Sequence, residues 1–263
     1  MFKLIAHDGI EVLESDLLKK FPEIIHGFST RQGGVSQGPF ASLNLGITEG
    51  DMLKRILINR RRFCNALHFA PSDLVQAEQI HSNQVLTVTA SGINNGVDGL
   101  VTNQRGIFLS IKVADCAPIL FYDPVQKVIA AAHAGWRGTV SGIIENTVNT
   151  LLDRYGSQPS QIIATVGPAL HVCCYEVQSD VANQFSPEEI EVRDGKRFLN
   201  LSFAIHRRLL KLGLSEENID LCELCTACNP QLFYSYRRDG DITGRMMGVI
   251  GLNSNAIHHM REV

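Results

Sequence analysis

The residues best suited to chemistry gather in two neighbouring stretches. Val113-Ala-Asp-Cys-Ala-Pro-Ile-Leu-Phe-Tyr-Asp-Pro carries Asp115 and Cys116, and Val128-Ile-Ala-Ala-Ala-His-Ala-Gly-Trp-Arg-Gly-Thr carries His133 and Arg137. Cys116 and His133 each stand at the end of a short apolar run that reads as a strand. Strand ends opening onto loops are where a rigid scaffold presents side chains to a ligand. His81, in Gln79-Ile-His-Ser-Asn, adds a second imidazole. One thiol and two imidazoles make a three-ligand set for Zn²⁺ with the fourth position open, as in catalytic rather than closed structural zinc sites. Because the three residues lack tight ligand spacing, two other readings stand beside this one. Cys116 and His133 could form the nucleophile–base pair of a cysteine hydrolase, or both could be buried and inert.

Ala-Gly-Trp-Arg-Gly-Thr leads straight into a helical pattern, so the free N–H groups of a helix start, together with Arg137, favour an anion. Arg60 follows from geometry. At about 100° per residue it falls in the middle of the arc spanned by Leu53, Ile56, Leu57, Cys64 and Leu67, whereas Arg61 lies at its edge and Arg62 opposite. An arginine aimed inward either pairs with a core carboxylate such as Asp115 or Asp98, or reaches an anionic ligand. Cys222-Glu-Leu-Cys-Thr-Ala-Cys resembles a metal-binding run, but no second CxxC supplies a fourth thiolate. The adjacent Cys173 and Cys174 are expected on opposite sides of an extended chain, so no structural metal is expected at these cysteines. Gly33-Gly34 lacks the lysine and helix of a phosphate loop, and His258 and His259 read as exposed polar residues.

The elements that must position these groups are legible from periodicity. Helices are expected at about 51–68, 139–155 (closed by Gly156) and 200–212, and short Val/Ile-rich strands at 84–90, 107–113, 118–122, 127–132 and 161–166. Strands and helices do not alternate regularly, which indicates an α+β fold, and no linker divides the 263 residues, which indicates one domain. With 44% hydrophobic residues the chain is expected to fold, and its formal charge of −3 argues against nucleic acid or an anionic membrane as a partner. Seven cysteines, an odd number at irregular spacing, do not form a disulfide framework. No membrane span or secretory signal is evident, and a cytoplasmic location is expected.

At these residues the chain resembles the laccase-domain, or polyphenol-oxidase-like, family (YfiH type), also described as purine nucleoside phosphorylases. The matching motifs include Thr30-Arg-x-Gly-Gly-Val-Ser, Ser42-Leu-Asn-Leu-Gly, Asn59-Arg60, Gln79-Ile-His-Ser, Asp98-Gly-Leu-Val-Thr, Ala114-Asp-Cys-x-Pro, His133-Ala-Gly-Trp-Arg-Gly-Thr, Cys174-Tyr-Glu-Val and Ser235-Tyr-Arg-Arg-Asp-Gly with Thr-Gly-Arg. The resemblance implies a single α+β domain with mixed β-sheets packed between helices, and His81, Cys116 and His133 as zinc ligands. It also implies phosphorolysis of adenosine, inosine, guanosine and methylthioadenosine, together with adenosine deamination. Arg60 and Arg137 become candidates for holding phosphate, Asp115 for orienting a ligand or relaying a proton, and Arg31 and Asn44 for binding substrate. The expected partners are therefore small molecules, with no obligate protein partner.

Other classes remain open at this point: a cysteine or zinc amidohydrolase acting on a peptidoglycan precursor, or a binding module using Trp136. The copper polyphenol oxidase of the older family name would need about ten histidines, usually in His-x-His pairs, and this chain has nine and no such pair. Copper could still occupy the Cys/His site, since it outcompetes zinc for N and S ligands. The chain departs from the family pattern at Thr48-Glu-Gly-Asp, at Ala169 after Pro168, and at Asn200 in Leu-Asn-Leu.

Overall fold

Every residue of Ala117–Asp123 and Val128–Ala134 is buried, which happens only to strands covered on both faces. The computed structural model describes residues 1–47 and 50–254. Thr48 and Glu49 of one departure from the family pattern, and His258 and His259, lie outside the described residues. In chain order the strands are β1 (Phe2–His7), β2 (Ile10–Ser15), β3 (Ile24–Ser29), β4 (Leu74–Glu78), β5 (Val85–Thr87), β6 (Gly92–Asn95), β7 (Gly99–Thr102) and β8 (Phe108–Val113). They continue with β9 (Ala117–Asp123), β10 (Val128–Ala134), β11 (Ile163–Val166), β12 (Glu176–Val177), β13 (Ile190–Arg193), β14 (Lys196–Leu199), β15 (Ile219–Leu221) and β16 (Met246–Leu252). The helices are α1 (Leu53–Ala66), α2 (Trp136–Ser141), α3 (Ile143–Tyr155), α4 (Ser179–Ala182), α5 (Leu201–Lys211) and α6 (Tyr236–Asp239).

Two large mixed sheets result, one in the order β1-β2-β3-β16-β8-β4-β6 and the other β15-β11-β9-β10-β7-β5, beside a small β12-β14-β13 sheet. The alternation of side chains explains how they stack. Leu120 and Tyr122 of β9, with Ile129 and Ala131 of β10, meet Phe28, Leu109, Ile111 and Ile250 of the first sheet. Ile119 and Phe121, with Val128, Ala130 and Ala132, face the other way onto Ile144, Val148 and Leu151 of α3 and Ala204, Ile205 and Leu209 of α5. Phe63 and Cys64 of α1 pack on the outer face of the first sheet, against Val12, Met247 and Val249. The order is helix, sheet, sheet, helices: an α+β fold with mixed sheets between helices. No helix among the described residues is long and apolar enough to cross a membrane.

Several expected elements change in detail. The helix expected at 139–155 begins earlier, at Trp136, and is broken at Gly142, whose φ of 95° separates α2 from α3. The strand expected at 84–90 contracts to Val85–Thr87, and that at 161–166 begins only at Ile163. The N-terminal hairpin β1–β2, with β3, is found although its alternation is irregular. On α1, Leu53 and Leu57 are exposed, and the buried face runs instead through Ile56, Asn59, Arg60, Phe63, Cys64 and Ala66. Polar anchoring rotates the helix. Asn59 donates to the Ser36 hydroxyl and to the carbonyls of Ser42 and Asn44, and accepts from the Val35 N–H.

Candidate metal centre

His133 occupies an odd position on β10, so the alternation that turns Ile129 and Ala131 toward the other sheet turns it there too. It lies one residue before the strand ends, where the two sheets part. Cys116 lies in the tight turn between β8 and β9, reached through Asp115 at φ 88°. His81 sits in the loop between β4 and β5 at φ 61°. Both φ values fall in a region that non-glycine residues seldom adopt, and such strain is commonly found at functional sites. The fold thus brings three segments together. One ligand atom from each of His81, Cys116 and His133 lies within 4.8 Å of the others, with Cys116 Sγ 4.0 Å from His81 Nε2 and the imidazole centroids 4.8 Å apart.

Asp98, immediately before β7, organises the centre. Its carboxylate accepts from His133 Nδ1 at 2.8 Å, from the backbone N–H groups of Ile80, His81 and Ser82, and from the Ser82 hydroxyl. With Nδ1 bonded to Asp98, His133 is left to present Nε2 to an ion, the carboxylate–histidine arrangement that fixes metal-ligand tautomers. Burial would raise the Asp98 pKa, but the bonds from His133 and Ser82 overcome it and lower the pKa to about 2. Burial also opposes charge on Cys116 and His133. The attraction between thiolate and imidazolium nevertheless lowers the Cys116 pKa and, with Asp98, raises that of His133. A thiolate and imidazoles are the donor set for zinc or copper, not for magnesium or calcium.

The centre opens onto a cavity of about 990 Å³. Trp136 and Tyr175 give it aromatic wall, Lys112, Arg137, Arg237 and Arg245 positive charge, and Glu78, Asp115, Glu176 and Asp180 negative charge. Arg137 is exposed, with its guanidinium 4.4 Å from the centre of the Trp136 ring. Asp115 is buried and occupied, accepting from the Thr226 hydroxyl at 2.6 Å and the Arg237 N–H at 2.5 Å.

Three residues expected at the site lie elsewhere. Arg31 binds the carbonyls of Ala41 and Pro230 and stacks on Tyr234, off the cavity wall. Asn44 is buried behind the wall, where its side-chain oxygen accepts from the N–H groups of Gly46 and Arg245, both of which line the cavity. Arg60 is buried as its wheel position implies, but it pairs with neither Asp98 nor Asp115. Its Nε donates to the Leu45 carbonyl, one Nη has no partner among the described residues, and burial lowers its pKa. It too stands one layer behind Gly46 rather than on the cavity wall.

Lys112, Arg237, Arg245 and Tyr175 were not anticipated as site residues. Lys112 could have been suspected as a lone charge in the apolar run Phe-Leu-Ser-Ile-Lys-Val. Arg237 and Arg245 sit inside motifs of the resemblance, but nothing in their spacing aims them at His81.

Residues 25–253 match the family model described as multi-copper polyphenol oxidoreductase laccase. The chain belongs to this family. Among its relatives, the purine nucleoside phosphorylase YlmD of Geobacillus stearothermophilus is 38% identical over 249 residues, covering 88% of this chain and 91% of the relative. A purine nucleoside phosphorylase of Deinococcus radiodurans is 43% identical over 231 residues, covering 86% of this chain and 88% of the relative. The crystal structure of YlmD from Geobacillus stearothermophilus superposes with a TM-score of 0.89 at 35% identity, covering 96% of this chain and 99% of that one. The laccase-family label and the phosphorylase names of the relatives describe different chemistries, so the site must decide between them.

Proposed function

We propose that this protein is a zinc-dependent purine nucleoside phosphorylase, with adenosine, inosine, guanosine and methylthioadenosine as substrates and adenosine deamination as a second activity. The observation that carries this reading is the Cys116–His81–His133 centre opening onto a cavity that holds four cationic side chains and the aromatic rings of Trp136, Tyr175 and Tyr236. The names of the relatives point the same way. His81, Cys116 and His133 would hold the ion, and a bound divalent cation there would supply Lewis-acid stabilisation of developing negative charge, or a water ionised near neutral pH for deamination.

The chain's own residues account for the rest. Phosphorolysis forms a bond from a phosphate oxygen to the anomeric carbon of ribose and breaks the bond from that carbon to the purine. The bonding electrons leave with the base, which takes up a proton. Arg137, with Arg237, Arg245 and Lys112, supplies positive charge for a phosphate dianion, and guanidinium forks fit its oxygens. Trp136 and Tyr175 provide flat apolar surface for a purine. Asp115 is held by Thr226 and the Arg237 backbone, so it fixes the turn that carries Cys116 and anchors Arg237 beside the phosphate. Arg60 and Asn44 act through the Leu45–Gly46 wall, and Arg31 by tying the 41–42 segment to the 230–232 segment.

The test is incubation of zinc-loaded protein with inosine and phosphate, followed by the same assay on Cys116→Ala. Hypoxanthine and ribose-1-phosphate in equal amounts, lost together with a metal equivalent in the variant, is the expected result. Inosine formed from adenosine without phosphate identifies the deaminase activity. Turnover undiminished in Cys116→Ala, or no nucleoside chemistry from metal-replete protein, overturns the reading.

A further inference from the structure

Four of the six cysteines outside the centre described above come together. The chain turns at 172–174, where the His171 carbonyl accepts from the N–H groups of both Cys174 (2.9 Å) and Tyr175 (3.0 Å). This tight turn corrects the expectation of an extended chain and puts the sulfurs of the adjacent Cys173 and Cys174 on the same side. Opposite, Cys225-Thr-Ala-Cys228 folds into a knuckle, held to the first segment by the bridge between Ala169 and Cys225 and by the bond from Thr226 N–H to the Ala169 carbonyl. The sulfurs of Cys173, Cys174, Cys225 and Cys228 then lie within 4.8 Å of one another, with Cys228 Sγ 3.5 Å from that of Cys173 and 3.3 Å from that of Cys174. The fourth thiolate that the CxxC run lacked in sequence comes, with a third, from some fifty residues upstream. Cys222 is buried in the core and takes no part.

We propose that Cys173, Cys174, Cys225 and Cys228 form a second metal site, a closed tetrathiolate that binds one zinc ion and has a structural role. In a tetrahedral site with Zn–S bonds of about 2.3 Å, the sulfurs stand roughly 3.8 Å apart, close to the distances found. Four sulfurs this close leave room for a single ion and not for an iron–sulfur cluster. Four thiolates select a soft ion over magnesium or calcium. With all four positions filled by protein, no coordination site is left for substrate, which distinguishes this site from the His81 centre.

The surroundings suit a thiolate cluster. Backbone N–H groups of His171, Ala227 and Cys228 donate to the Cys225 sulfur and lower its pKa against the effect of burial. Burial raises those of Cys173 and Cys174, and a cation bound by thiolates displaces their protons. Arg238 brings positive charge to the knuckle through its bonds to the Thr226 and Ala227 carbonyls.

The position gives the ion a purpose. One segment it would fasten supplies Leu170 and Tyr175 to the cavity wall, and the other supplies Thr226, which holds Asp115 together with the N–H of Arg237 on α6. A thiolate clip here locks the wall of the cavity without touching its contents.

Two measurements on the full chain test this, neither of which depends on turnover. Zinc analysis should find two equivalents in the unaltered protein and one in a folded Cys225→Ser/Cys228→Ser variant; unchanged metal content in that variant overturns the proposal. If the variant does not fold, the second measurement decides. Cobalt added to Cys116→Ser protein should bind at one equivalent, with the strong near-ultraviolet charge-transfer absorption and visible bands of a tetrahedral tetrathiolate. Absence of that spectrum, or peptide mapping that finds Cys173, Cys174 or Cys228 in a disulfide in native protein, refutes the site.

Discussion

His133 shows how much a single hydrogen bond can decide. Without Asp98 its ring could present either nitrogen; with Nδ1 bonded at 2.8 Å only Nε2 faces Cys116 and His81. Asp98→Asn keeps the shape and removes the charge. It should weaken zinc binding about 10- to 100-fold, the usual effect of losing such a partner, as read by competition with a chelator. Arg137 is exposed and supports no part of the core, so Arg137→Ala should leave the melting temperature unchanged while raising the KM for phosphate about tenfold or more, the effect of losing a charged hydrogen bond. Phosphate kinetics alongside thermal unfolding separate the two. Arg60, by contrast, is a buried cation with no carboxylate partner among the described residues.

At the scale of elements, the connection from β10 to α2 sets how closely ligands and helix approach. A Cβ on Gly135 would stand 2.8 Å from Cys116 Sγ and 3.4 Å from His81 Cδ2. Gly135→Ala should therefore displace a ligand and lower metal occupancy while the far-ultraviolet circular dichroism stays that of the folded chain. Gly142 requires a different argument, since a Cβ there meets nothing closer than 3.7 Å. Its φ of 95° is what an alanine resists, so Gly142→Ala should cost about 1–2 kcal/mol in denaturant unfolding through backbone strain alone. Gly142 also explains why the periodicity expected at 139–155 runs the end of α2 and all of α3 together as one helix: the apolar repeat reports a face, not a break. On α1 the repeat located Arg60 inside the protein, yet the buried face was set by Asn59 and its loop partners, which a hydrophobic pattern does not weigh.

For the whole molecule, pH dependence should follow from His26. Burial lowers its pKa to about 4, against the opposing charges of Glu14 and Asp220. Its Nε2 accepts from the Ser15 N–H, which requires the neutral ring. The unfolded chain titrates near 6.5, so between about pH 6.5 and 4 it binds a proton that the folded chain refuses. Stability is thus full above pH 6.5 and falls as the pH drops toward 4, by about 3 kcal/mol from this residue. Urea unfolding at pH 7 and 4.5 should show a difference that shrinks in His26→Asn; an equal slope in that variant would remove His26 as the cause.

The sequence by itself determined the chemical inventory: a Cys–Ala–Pro turn, a histidine ending an alanine-rich strand, an arginine opening a helix, and the irregular strand–helix order of an α+β fold. Those are local properties of spacing and residue type, which backbone periodicity expresses directly. Only the tertiary structure decided which distant residues meet. It placed Lys112, Arg237 and Arg245 around the centre, put Arg31 and Arg60 behind or away from the wall, and gathered four sulfurs from two turns. Those meetings depend on how two sheets stack and where loops reverse, and a sulfur's neighbours across fifty residues leave no trace in its own local pattern.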